Sequence, residues 1–516
     1  MNAPPNAAQP VADDAATPEP SRPDDSPPWR PAAAPRSAQP AQPAQSAESS
    51  EETLYEVRRK IYPRSVAGAF SSWRVWLVIL TQLVYYGTPW LQWNNRQAVL
   101  FDLGARKFYI FGLVLWPQDV IYLAVLLVIS ALALFLFTAI AGRLFCGYAC
   151  PQTVYTEIFM WIERRVEGDR IARIRLDGDP WSLRKLRLKA TKHALWVVIA
   201  LWTGFTFVGY FSPIRELGGQ VVDFSLGPWQ SFWMLFYAFA TWGNAGFMRE
   251  QVCKYMCPYA RFQSVMVDRD TFVVTYDVGR GEPRGSRSRK ADRHTAGIGD
   301  CVNCSICVQV CPTGIDIRDG LQYECIGCGA CIDACNQVMD KMAYPRGLIR
   351  YTSENAMRKG LSAVAARRRL FRTRTIIYAV IWSVLVGGFI GSLAMRAPLK
   401  VDVIRDRGAL GREVEGRWIE NVYRLQLINT TEAPMRVRVQ ATSAALQGLT
   451  IEYDKSAETL APTSNRLLPV RIRIPIDHAP QGTHKIRITV TGEGMDDARE
   501  RAQIQEATSF IVPRGL

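Results

Sequence analysis

The chain has 516 residues, with 62 Lys and Arg against 47 Asp and Glu, for a formal net charge of +15. Hydrophobic residues make up 48%, but they gather in long Trp-, Phe- and Leu-rich runs between basic stretches; this excludes a single soluble globule and a fully disordered chain. All 12 cysteines lie between Cys146 and Cys335, so a small disulfide-stapled secreted domain is excluded too.

Residues 1–52 open the chain, and 12 of the 30 prolines fall in the first fifty positions, interleaved with Ala, Gln, Ser and Asp. Such a segment buries too little apolar surface to offset its ordering entropy and is expected to be a disordered tail. It lacks the basic start and apolar core of a secretory signal, so no cleavage is expected.

Five segments have the length and apolarity expected of membrane spans: Trp73–Trp93, Val120–Ala141, Ala194–Phe211, Trp229–Phe247 and Ile376–Met395. The fifth holds Gly387, Gly388 and Gly391, small residues suited to close helix contact. The first four belong to residues 53–267, and the fifth, with its basic approach, to residues 351–398. Positive charge sets the orientation. Arg58, Arg59, Lys60 and Arg64 precede the first span, and residues 142–193 carry 11 Lys or Arg against 6 Asp or Glu. Arg367, Arg368, Arg369, Arg372 and Arg374 precede the fifth. The N-terminus, the 142–193 loop and residues 248–375 are therefore expected in the cytoplasm and the C-terminal part outside; Arg96, Arg106 and Lys107 run against this. The basic run from Arg280 to Arg293 reads as membrane-proximal charge, so no nucleic-acid partner is expected.

Past the second and fourth spans stand two cysteine pairs, Cys146-Gly-Tyr-Ala-Cys150-Pro151 and Cys253-Lys-Tyr-Met-Cys257-Pro258. Both read Cys-x-Tyr-x-Cys-Pro and suggest an internal repeat of span plus Cys pair. A spacing of four puts both sulfurs on one helical face, and the following Pro lets the second thiol turn away from the axis. Two pairs at one membrane depth present up to four thiolates, as one site or two. Soft thiolates select Cu(I), zinc or iron–sulfur iron, with Cu(I) the attractive choice at a bilayer edge. The competing reading is four buried small apolar residues. A cytoplasmic placement disfavours disulfides.

Residues 268–350 hold the strongest motif. Cys301, Cys304, Cys307 and Cys311 are followed by Pro312, and Cys325, Cys328, Cys331 and Cys335 repeat the spacing with Asn336 after the last. This is the bacterial two-cluster ferredoxin pattern, in which the fourth cysteine of each run ligates the other cluster. One [4Fe–4S] cluster is thus expected on Cys301, Cys304, Cys307 and Cys335, and the other on Cys325, Cys328, Cys331 and Cys311. Paired zinc sites are the bland alternative, disfavoured by two successive runs of this spacing. Only four His occur, and no Cys-x-x-Cys-His, P-loop or strand-borne GxGxxG is present, so haem and nucleotide sites are not expected and electrons must come from a separate donor.

From residue 399 to 516 the texture changes to short alternating runs at Val422–Ile428, Met435–Val439, Leu449–Tyr453, Leu468–Ile474 and Lys485–Val490. These predict an all-β immunoglobulin-like sandwich. The expected fold is thus a multi-domain membrane protein: an α-helical five-span bundle, a cytoplasmic two-cluster ferredoxin-like α+β domain and a periplasmic β-sandwich.

That combination resembles the cytochrome c oxidase accessory family CcoG, also called FixG or RdxA-like, over roughly residues 53–516. The stretches Arg143-Leu-Phe-Cys146-Gly-Tyr-Ala-Cys150-Pro-Gln152 and Asn244 to Gln263, through Cys253 and Cys257, are similar to that family's signatures. The resemblance implies a multi-pass protein of the bacterial inner membrane that reduces Cu(II) to Cu(I) for assembly of cbb-type cytochrome c oxidase. Copper would then be held near Cys146, Cys150, Cys253 and Cys257, and a copper exporter or oxidase assembly factors would be partners. A homodimer is compatible with it. NapH-type membrane ferredoxins share the paired motifs, so a quinol-linked electron-transfer module is an alternative, as is a non-catalytic copper carrier or assembly scaffold.

Overall fold

The computed structural model describes residues 60–288, 297–406, 408, 411–495 and 501–513. The expected tail, residues 1–52, lies outside them.

Helix α1 (Ala69–Gly87) leads into a small antiparallel sheet of β1 (Val99–Asp102), β2 (Lys107–Ile110) and β3 (Leu113–Leu115). Helix α2 (Val120–Ala141) follows and stops at Gly142, whose φ of 54° sharply redirects the chain. The short α3 (Leu144–Tyr148) and the amphipathic α4 (Pro151–Val166) come next, then α5 (Leu183–Gly209) and α6 (Pro228–Thr241). After α6 the helix widens into a π-helical stretch, Trp242–Met248, and a second one covers Val252–Met256. Their signature is the i to i+5 bond, seen in Arg249 N to Asn244 O (2.7 Å) and Cys257 N to Val252 O (2.8 Å). Helix α7 (Pro258–Met266), strand β4 (Val273–Tyr276), α8 (Ala330–Met342), β5 (Ile349–Thr352) and α9 (Thr373–Ala394) complete this part.

Among the described residues, three helical stretches are long and apolar enough to cross a membrane: Pro117–Ala141, Leu183–Gly209 and Thr373–Ala394. They correspond to the predicted second, third and fifth spans. The predicted first and fourth spans are also helical but fall short of that standard. Helix α1 carries Arg74 and Gln82, and α6 has only 14 residues before the π-helical widening. Both still expose bulky apolar faces, including Trp73, Trp76, Leu80 and Leu83 on α1 and Trp229, Phe236 and Phe239 on α6. The expectation of close helix contact at Gly387, Gly388 and Gly391 is not met, since a Cβ at any of them would meet open space. The tight crossing is at Gly204, where a Cβ would come within 2.2 Å of Met234 O, so α5 and α6 approach backbone to backbone.

The C-terminal domain is the expected sandwich. Its strands are β6 (Leu399–Arg405), β7 (Arg412–Val414), β8 (Trp418–Asn429), β9 (Met435–Thr442), β10 (Thr450–Tyr453), β11 (Thr459–Leu460), β12 (Asn465–Pro475), β13 (Gly482–Gly494) and β14 (Arg501–Val512). One sheet runs β10-β12-β8-β6 with β7 beside β8, and the other β11-β9-β13-β14. Alternating Val, Leu and Ile from both inner faces close the core around the fully buried Tyr423 and Phe510. All five predicted runs lie in these strands, apart from Leu449, one residue before β10.

The sandwich docks on the end of the bundle that carries β1–β3. Glu432 receives hydrogen bonds from Trp93, Asn94 and Arg96, and Lys107 Nζ donates to Thr463 O at 2.8 Å. At the same end, the buried Asp119 pairs with Arg396 (2.5 Å) and Lys400. Arg96 and Lys107, which opposed the charge-based orientation, are thus engaged by the sandwich.

Candidate iron–sulfur and thiol centre

At the opposite end, β4 and β5 pair antiparallel, Val273 against Thr352 through Tyr276 against Ile349, and bracket both cysteine runs. The runs are largely irregular, with left-handed turns at Asn303, Ser305, Gly327 and Gly329 that let successive thiols face inward. Gly329, at φ 72°, sits where a Cβ would lie 2.7 Å from the Phe70 ring, so this turn leaves no room for a side chain. The carboxylate of Asp333, between Cys331 and Cys335, accepts hydrogen bonds from the Phe70 (3.4 Å) and Ser71 (2.8 Å) amides and fastens the start of α1 to α8.

Two cavities of similar size open among these turns. The first is lined by Cys301, Cys304, Cys307 and Cys335 with Tyr276, Arg318 and Ile349. The second is lined by Cys311, Cys325, Cys328 and Cys331, with Cys307 on its shared wall. Each cavity thus receives three thiols from one run and the fourth from the other, as the spacing predicted. All are free thiols, and only Cys304 among these eight is exposed. Burial pushes the thiols of Cys325 and Cys335 up to about 12 and that of Cys307 up to about 11. Free of disulfides and buried or half-buried apart from Cys304, these donor sets fit [4Fe–4S] clusters, whose iron would displace the thiol protons. Among the described residues, no three Cys, His, Asp or Glu side chains converge on one metal ion.

Of the four remaining cysteines, Cys146 lies beside the second cavity. Cys146 sits on α3 and packs into the apolar cluster of Ile326, Cys328, Ala330 and Cys331. Gly147 makes this possible, since a Cβ there would come within 2.8 Å of Ile326 O and 3.1 Å of the Cys328 backbone. Cys150 is the extended residue before α4 and Cys257 the extended residue before α7, each followed by Pro at the first helical position. The expected turn-away after the second thiol is therefore present in both repeats, but neither pair shares one helical face: Cys146 lies on α3 and Cys253 on the π-helical turn, with Cys150 and Cys257 beyond them. Burial, then the neighbouring Cys150, pushes Cys146 up to about 11. Burial and then Cys150, Cys146 and Cys257 push Cys253 up to about 12. The four thiols are thus electrostatic neighbours, with the Arg143 guanidinium opposing the rise.

An ionic framework that sequence reading missed holds this region. Glu163 on α4 bonds Arg173 (2.8 Å) and Arg249 (2.7 Å), and Glu157 pairs with Arg74 (3.2 Å) and Arg164 (3.3 Å). Glu167 holds Lys189 and Lys192, each at 3.0 Å. Gln152 Nε2 donates to Asn244 O (2.9 Å) and Arg249 O (3.1 Å), joining the two Cys-Pro repeats. The available signal was the acidic series Glu157, Glu163 and Glu167 inside an otherwise basic loop. Burial raises the Glu163 carboxyl, but Arg249 and Arg173 outweigh it and hold the group below the usual carboxylate range.

Fold and site together define a membrane-associated iron–sulfur redox protein with an immunoglobulin-like C-terminal domain. Comparison with known sequences finds three matching domains. Residues 248–354 match a 4Fe-4S dicluster domain, residues 123–168 a 4Fe-4S binding domain, and residues 389–513 the IG-like fold at the C-terminal of FixG. Protein RdxB of Cereibacter sphaeroides is 41% identical over 430 residues, 82% of this chain and 90% of that protein. Protein RdxA of the same organism is 40% identical over 84% of this chain and 92% of its own length. Nitrogen fixation protein FixG of Rhizobium meliloti is 41% identical over 73% of this chain and 78% of that protein. The chain belongs to the FixG/RdxA-like family.

Proposed function

We propose that this protein is a cupric reductase of the bacterial inner membrane, supplying Cu(I) for assembly of a cbb-type oxidase. The observation that carries the reading is the contact between α3 and the second cavity: Gly147 lies against Ile326 and Cys328, so Cys146 borders the cysteine set of Cys311, Cys325, Cys328 and Cys331. When bound, the two clusters supply one-electron chemistry at low potential, and Cu(II) to Cu(I) is a one-electron step. The exposed Cys304 marks the face open to an external donor, and Cys146, Cys150, Cys253 and Cys257 form the copper end. Thiolates favour Cu(I) over Cu(II) and so favour the product, and two suffice for Cu(I) where no three converge. Five passes, with the cysteines in the cytoplasm and the sandwich outside, complete the reading. They are supported by the docking of β1–β3 on the sandwich and of α1 on α8, and reporters fused to each terminus test them.

The principal test is anaerobic stopped flow with prereduced protein and Cu(II), a chelator counting Cu(I). Reoxidation matched by Cu(I), and lost when the four cysteines become Ser with iron content intact, is expected. Unchanged reduction in that variant sinks the copper site. A second reading, quinol oxidation, has one observation in its favour. His193 Nδ1 is buried without a hydrogen-bond partner, and its ring lies 5.0 Å from Trp196, 5.8 Å from Phe247 and 6.4 Å from Trp242. Reoxidation by quinone but not by Cu(II) would select it.

A further inference from the structure

Gln263 lies on α7, six residues beyond Cys257, and its side chain is fully buried. Its Oε1 accepts a hydrogen bond from Cys146 Sγ at 3.5 Å, whereas its Nε2 is buried with no partner. A dry, unpaired amide N–H is among the costlier defects a protein interior can hold. Of the polar groups nearby, Tyr259 Oη faces the Gln263 side chain and is bonded to Thr138 (2.7 Å) and Leu134 O (3.2 Å), and the Arg143 guanidinium donates to Ala260 O at 2.6 Å.

The orphan acquires a partner once Cys146 loses its proton. A metal-bound thiolate has no hydrogen to give and only accepts. Half a turn about the last side-chain bond exchanges the two amide atoms, converting S–H···O into N–H···S. The carbonyl oxygen then takes the dry position, which it tolerates better than an N–H does.

We propose that Gln263 is a positioning residue of the four-cysteine site, accepting from the Cys146 thiol in the metal-free protein and donating to the Cys146 thiolate when a soft metal ion is bound. Loading with Cu(I) breaks the S–H bond, releases the proton to water and forms the S–Cu bond, with no change of oxidation state. The amide thereby favours the loaded state and reduces the negative charge on the sulfur. The inference rests on copper binding at these cysteines.

Two substitutions of similar size test it in full-length, detergent-purified protein with its iron content measured. Gln263→Met offers no donor, whereas Gln263→Glu, its buried carboxyl kept neutral beside the thiolate, offers a weaker replacement. Anaerobic competition against a coloured Cu(I) chelator is expected to show Gln263→Met weakened roughly 10–100-fold, with Gln263→Glu between it and wild type. The near-ultraviolet Cu(I)–thiolate absorption of Gln263→Met should move to longer wavelength, because the sulfur loses its N–H donor. A role in packing alone predicts unaltered affinity and an unmoved band wherever iron content is preserved, and that outcome overturns the proposal. If Gln263→Glu fails to retain iron, affinity and absorption in Gln263→Met decide. Wild-type protein that binds no Cu(I) overturns the copper reading and this role together, whereas tight wild-type binding with both variants unchanged overturns the Gln263 role alone.

Discussion

Tyr148 donates a hydrogen bond from its hydroxyl to the carbonyl of Cys328 at 3.2 Å, tying the first Cys-Pro repeat to the second cysteine cavity. Both residues are buried. Tyr148→Phe leaves that carbonyl unpaired and should cost about 1–3 kcal/mol in denaturant unfolding. Cluster content should survive, and Cu(II)-driven reoxidation should slow. Gly147→Ala should be the harsher change, because its methyl would press on the Ile326 and Cys328 backbone. Rates equal to wild type in both variants would count against passage through this contact.

Crossed ligation makes a prediction for the fourth cysteines. Cys335→Ser should deplete the cavity that contains the exposed Cys304, and Cys311→Ser the enclosed one. Each should lose about four iron atoms per chain, with loss of magnetic coupling between the reduced centres. Iron analysis and electron paramagnetic resonance check this. The residual centre should react with an external oxidant faster in Cys311→Ser than in Cys335→Ser, because it is the exposed one.

Glu163→Gln removes the counter-charge of Arg173 and Arg249, both largely buried, and should destabilise by about 3–5 kcal/mol at neutral pH. The wild-type carboxyl is held below its unfolded value, so its contribution is complete above the unfolded carboxylate range near pH ~4.3 and fades as pH falls through the folded value. Unfolding of the two proteins at a series of pH values should therefore show their difference shrinking toward acid. A constant difference would assign the effect to packing. Arg249 also holds a left-handed turn at φ 38° ahead of Cys253, so this variant should react more readily with thiol reagents at Cys253.

Asp119 and Glu432 fasten the sandwich to the bundle. Asp119→Asn strands Arg396 with a weakened partner and should loosen residues 396–400, read as faster amide exchange there. Glu432→Ala should have a smaller effect, since its partners are partly solvated.

The cysteine chemistry was legible because ligand spacing is written in consecutive residues. The runs from Cys301 and from Cys325 determine which thiols share a cavity whatever surrounds them. Helix α2 was legible because its apolar run is unbroken, whereas α1 hides Arg74, which finds Glu157 only after folding. Strands β6 and β14 were missed, the first because it follows α9 almost directly, the second because Arg, Gln and Glu interrupt its alternation. Gln263 and the pairing of Glu163 with Arg249 could not be read at all. Both depend on contacts across 117 and 86 positions of chain, for which local periodicity carries no signal.

The clasp between Asp333 and the first turn of α1 has a kinetic corollary. With α1 fastened to α8 and α3 pressed on the loop at Ile326, the cysteine domain is held to the bundle at two points. It is a fixed terminal rather than a shuttle. Diffusing carriers must come to it, so encounter with the donor, and not any internal excursion, should respond to viscosity and salt.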